Sequence, residues 1–202
     1  MTTAEGIAGG AKAGTREQVR AWSLVALVVF VSSLIAYAGF TTVGGIWFTI
    51  SDALGLALAA AMIPVVIGLD TLARPIVGDI SRTARWVGLA AMTIVIIGSI
   101  VLLTSEVSHE FVPAGGGLGM QFVGFGLEGV WFLMLARIGD RAGLFGRRLT
   151  RVTYLAGAGF VVGALGGPIG PNSPLVMVGM TLAFIGFIAW VVLLRREMAE
   201  TH

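Results

Sequence analysis

The sequence predicts an all-α fold, a polytopic membrane protein with six transmembrane helices in one bundle and both termini cytoplasmic. Three observations predict it. The 202 residues are 56% hydrophobic and only 12% charged, with a mean hydropathy of +0.94, against about 45–50% apolar and about 25% charged in an ordinary soluble domain. Six windows each approach the roughly 20 apolar residues that a membrane-crossing helix needs. Every basic residue lies at one set of ends of those windows.

In chain order, the lead "MTTAEGIAGGAKAGTREQ" is small, polar and Gly/Ala-rich, which predicts a disordered cytoplasmic tail over residues 1–20. The membrane domain then occupies 21–194, with spans at 21–40, 46–69, 86–104, 118–136, 152–169 and 175–194, and a cytoplasmic tail closes the chain over 195–202. The first span, with its basic start and "AYA" at Ala36 to Ala38, also fits a cleavable secretory signal. Its apolar run and its lead are long for a signal, so retention as a span is the expectation.

In the second span Ser51, Gly55 and Ala59 put small residues on one face, and Pro64 predicts a kink by freeing a backbone carbonyl. The turns "VPAGGG" at Val112 to Gly117 and "GGPIGPNSP" at Gly166 to Pro174 bound the fourth span and separate the last two. The fifth span carries Gly159, Gly163 and Gly167 at four-residue spacing, hence along one helix face. Lipid supplies no hydrophobic drive between helices, so such a face serves close backbone approach, within the bundle or in a homodimer.

Lys12, Arg16 and Arg20 precede the first span, and Arg74, Arg82 and Arg85 lie between the second and third. Arg137, Arg141, Arg147, Arg148 and Arg151 fill the fourth-to-fifth connection, and Arg195 and Arg196 follow the last span. These are all thirteen basic residues of the chain. Cytoplasmic segments are enriched in Lys and Arg, so both termini are expected in the cytoplasm of a bacterium, with the protein multi-pass in its plasma membrane. The net charge of +2 thus follows topology and implies no nucleic acid. The expected partners are the bilayer itself and anionic headgroups at the Arg137 to Arg151 loop, each Arg there contributing about 1 kcal/mol. A homo-oligomer or a partner membrane subunit is the further possibility.

The absence of cysteine excludes disulfides, thiolate metal sites and cysteine nucleophiles. With only His109 and His202 as histidines and Lys12 as the one lysine, a bis-histidine haem in the bundle and a retinal Schiff base on a membrane lysine are excluded as well. No cofactor is expected.

The residue that asks for a function is Glu128, about ten residues from each end of its span and so near the bilayer midplane. Gln121 and Gly124 share its helix face. A charge at the bilayer centre costs about 2.5–3.5 kcal/mol on insertion scales, and every basic residue is already assigned to the cytoplasmic side. Glu128 is therefore expected to be a neutral acid unless it binds a cation. Three roles follow: a hydrogen bond to a neighbour such as Ser32 or Ser33, a proton or cation site, or a general acid acting on a lipid-soluble substrate.

Asp52 is a second acid inside a span, toward the outer face. Tyr37, Asp52, Gln121 and Glu128 are expected to line an outer half without positive charge, which favours a cation or a neutral polar molecule over an anion. In "EVSHEFVP", Glu106, His109 and Glu110 have the spacing of a divalent-metal site if helical, and also the composition of an ordinary solvated loop.

The run "RAGLFGRRLTRVTYLAGAGFVVGALG" and the final span ending "WVVLLRR" resemble the back half of small, uncharacterised six-span bacterial membrane proteins of the DUF4386-like kind. The likeness covers about the last 75 residues. It implies a six-span fold and no particular activity.

Other six-span chemistries lack their residues. A rhomboid-type protease needs a serine nucleophile and a membrane histidine, and the fourth span has no serine and the sixth no histidine. An aquaporin-like channel needs paired Asn-Pro-Ala half-helices, and the only asparagine is Asn172, in a loop. Vitamin-binding subunits of energy-coupling-factor transporters match in size and span count but carry an Ala-xxx-Ala signature that the first helix lacks. The leading expectation is a non-enzymatic bundle that packs with a partner or with itself. The alternatives are a carrier or binding subunit for a small solute or cation using Glu128 and Asp52, and an isoprenoid cyclase or isomerase with Glu128 as general acid.

Overall fold

In hydrocarbon the backbone has no water to bond, so apolar runs of this length satisfy their N–H and C=O groups inside helices. The computed structural model describes residues 3–43, 46–108, 115–170 and 172–200, and its described residues form α-helices joined by short turns, with no strand. The helices are α1 (Thr3–Val43), α2 (Ile46–Val77), α3 (Asp79–Ser108), α4 (Gly115–Arg141), α5 (Arg147–Gly166) and α6 (Pro174–Glu200), with a 3-10 turn at Gly167–Ile169 between the last two. All six are long and apolar enough to cross a membrane.

One element differs from the sequence expectation. Residues 3–20, where composition predicts a disordered tail, belong to α1. The lead is rich in glycine, yet Ala11, Lys12, Ala13, Arg16, Glu17 and Gln18 are good helix formers with no proline among them. Val19 anchors the segment, fully buried against Gly68 of α2. α2 remains one helix through both Pro64, where a kink is expected, and Pro75.

Each helix packs on the next in sequence, and α6 returns against α1, so the six close into a ring. Short turns enforce the up-and-down order. Gly78, in the left-handed region at φ 63°, alone separates α2 from α3, and Gly143 at φ 65° ends the turn after α4; only glycine adopts this backbone without steric cost.

The basic residues gather at one end of the ring. There Arg195 Nη1 donates to the Arg20 carbonyl at 2.7 Å, joining the two terminal helices. The Gly146 N–H, at the start of α5, donates to Glu197 Oε2 at 2.8 Å, a negative group placed where the helix dipole favours one. Trp86 stands exposed at this end with the Arg85 guanidinium 5.2 Å from its ring, as an interfacial aromatic anchor would.

The centre of the ring is aromatic. Phe132 of α4 meets Trp190 of α6 edge to face at 4.9 Å, and Phe187 meets Phe30 of α1 at 4.9 Å. The interface of α5 with α6 is built from glycines instead. A Cβ added at Gly159 would strike the backbone of Ala183 and Gly179, and one at Gly179 would strike the backbone of Gly163. Gly159 and Gly163 therefore serve packing inside the bundle, and α6 covers the face that could otherwise have paired two copies. Gly167 lies off this contact: its added Cβ would meet the Phe122 ring of α4.

Candidate functional site

Glu128 sits at the centre of α4 on the face that turns into the ring, 8% exposed. Its helix neighbours fix that direction. Gly124, one turn before it, lies against Val95 and Ala91 of α3, and Trp131, one turn after it, packs over Gly88. Among the described residues its carboxyl has no hydrogen bond or ion pair with any side chain, Ser32 and Ser33 of α1 included. The topology explains the miss: α1 packs on α2 and α6, while α4 packs on α3 and α5.

Gln121 does find a partner. Its Nε2 donates to the hydroxyl of Ser99 at 3.2 Å, bridging α4 to α3 around a serine that is completely buried. Gly55 of α2 faces the same hydroxyl, with an added Cβ 4.0 Å away. The small-residue face of α2 thus opens onto the α3 polar group.

Helix register places Asp52 well apart from Glu128. Gly55 is level with Ser99, so Asp52 is one turn further out, level with Leu102, which packs on Gly117 of α4. Gly117 and Glu128 are eleven residues apart in one helix, or about 16 Å along the axis. The packed layers of Val95, Ser99 and Gln121 stand between the two acids. Asp52 is half-buried, and Tyr37 is 55% exposed rather than turned into the ring. Of the four residues expected to line one outer chamber, Gln121 and Glu128 share one face of α4, Asp52 is about one turn further out than Gln121, and Tyr37 is mostly exposed. The candidate metal group lies outside the described residues, His109 and Glu110 entirely and Glu106 by its side chain.

A charged cluster that the sequence reading passed over lies at the basic end. Asp70, 4% exposed, accepts from Ser81 Oγ of α3 at 2.8 Å and pairs with Arg74 of its own helix. Arg85 Nη1 is 3.4 Å from the same carboxylate. A buried carboxylate needs this density of donors to offset its lost hydration. The i,i+4 spacing of Asp70 and Arg74 was the available signal, but the pair falls just beyond the apolar window that ends at Leu69.

The bundle also carries a cleft of about 710 Å³ on the outward side of α4 and α5, toward the end opposite the basic residues. Leu118, Phe122, Val123 and Val130 form one wall and Val161 and Leu165 the other. Neither Glu128 nor Asp52 lines it, and among the described residues no polar or charged side chain does. Its side-chain lining suits apolar matter. No family model, curated protein or solved structure matches the chain.

Proposed function

We propose that the protein is a non-enzymatic integral membrane protein of a bacterial plasma membrane that works by packing another membrane component against the lipid-open face of α4 and α5. The cleft between those helices carries the reading, because it is sizeable and its described side chains are all apolar, with neither Glu128 nor Asp52 among them. Both termini are taken as cytoplasmic, a view supported by the thirteen basic residues at one end. On that orientation the Arg137 to Arg151 segment, the end of α4 and the start of α5, lies beside anionic headgroups and the cleft occupies the outer leaflet.

The test is native mass spectrometry of the protein released from nanodiscs. A component retained at fixed stoichiometry, whether another chain, a second copy or a lipid, supports packing as the function. A bare monomer under gentle release overturns it.

A second reading, a proton or cation carrier, draws on Glu128, which is buried at mid-depth without a side-chain partner among the described residues. Its test is pH-dependent uptake into proteoliposomes, which Glu128→Gln should abolish; equal uptake by both proteins sinks it. The enzyme reading is the least supported, since a cyclase or isomerase needs one pocket between two acids, and packed side chains fill the interval between Asp52 and Glu128.

A further inference from the structure

We propose that the α4/α5 cleft is a binding site for a single acyl chain of a membrane phospholipid, lying along α4 from Leu118 to Val130. The proposal names the occupant of the face described above and rests on that reading. The lining decides the chemistry. Among the described residues no polar or charged side chain lines the walls, so a headgroup, sugar or ion finds no side-chain donor or acceptor there, whereas methylenes lose nothing.

Length separates an acyl chain from a helix. Leu118 to Val130 spans twelve residues, about 18 Å at 1.5 Å per residue, against a hydrocarbon core about 30 Å thick. The cleft therefore runs for about one leaflet. A partner helix, or a second copy of this chain, would need the full depth. At the inner end of the cleft the two helices close on each other: a Cβ at Gly129 would meet the Gly157 carbonyl oxygen at 2.8 Å, and one at Gly157 would meet Leu133 at 3.0 Å. A helix seated in the cleft would lose its groove half-way across, while an acyl chain ends there.

Glycine sets the width. Gly119 and Gly126 line the cleft on α4, and an added Cβ at Gly119 meets nothing within 4 Å. A side chain at Gly119 would enter the cleft without disturbing the bundle. Because bulk lipid is as apolar as the walls, occupancy depends on van der Waals fit rather than on transfer from water, and steric filling is the right perturbation.

The experiment uses the full chain in nanodiscs containing a phosphatidylglycerol with a diazirine partway along one acyl chain, and maps the cross-links by peptide mass spectrometry. Labelling should concentrate in residues 118–130 and 161–168. Gly119→Leu should lower it there by about fivefold or more, the loss of roughly ten atom contacts, with labelling of the other helices unchanged. Val123→Trp is the second filling variant should Gly119→Leu fail to fold. Even labelling around all six helices, or labelling indifferent to both variants, overturns the proposal. A protein cross-linked or retained at this face also overturns the acyl-chain assignment while leaving the packing function standing, and a bare monomer with even labelling removes both.

Discussion

The Asp70 carboxylate accepts a hydrogen bond from Ser81 Oγ at 2.8 Å, across the one-residue turn at Gly78 that joins α2 to α3. The contact ties a buried charge to the neighbouring helix, and Arg74 and Arg85 complete its shell.

Removing that charge is expected to be the most damaging single polar change. Asp70→Ala leaves Arg85 facing an apolar wall and should cost about 3–5 kcal/mol. Ser81→Ala removes one donor to a charged acceptor, about 1.5–3 kcal/mol. Arg74→Ala should cost less than about 1 kcal/mol, since that side chain is 39% exposed. Equilibrium unfolding in mixed micelles gives the order, and an Arg74→Ala loss equal to that of Asp70→Ala would contradict it.

The glycine interface predicts an asymmetry between two positions in contact. Gly179→Ala drives a Cβ into the backbone of Gly163 and should destabilise by about 1–3 kcal/mol or more. Gly163→Ala meets only the flexible Met180 side chain, nearest at 3.0 Å, and should change stability by less than about 1 kcal/mol. Thermal unfolding of the two variants side by side tests whether backbone contact or side-chain contact limits the spacing.

For Glu128 the expectation runs against the usual effect of deleting a polar residue. With no partner bond to lose among the described residues, Glu128→Leu should leave the protein as stable or more so. A loss above about 1 kcal/mol would show that the carboxyl is bonded. Glu128→Lys should fail to accumulate in the membrane, because a fixed charge at mid-depth costs about 2.5–3.5 kcal/mol.

The absence of cysteine makes orientation directly measurable. Asn172→Cys, exposed in the turn before α6, should react with an impermeant maleimide in intact cells. Arg148→Cys, exposed near the start of α5, should react only after permeabilisation. The reverse pattern would invert the topology and place the cleft in the cytoplasmic leaflet.

The sequence by itself determined the number of helices, the central part of each, and the gathering of the basic residues at one end. A polar group in hydrocarbon is unfavourable one residue at a time, so the apolar runs and their charged ends are visible without any contact. Helix ends were less visible: α1 extends back through the lead because of helix propensity and one buried valine, neither of which alters composition. The tertiary structure alone decided which surfaces meet. Gln121 is paired because α3 stands beside α4, and Glu128 meets neither Ser32 nor Ser33 because α1 does not. Gly159 and Gly163 pack inside because α6 brings Gly179 and Ala183 to them. Asp52 and Glu128, both acids in spans, are held at different depths by the register of α2, α3 and α4. Neighbourhood and register depend on how side chains from several helices interlock, and no single helix carries that information.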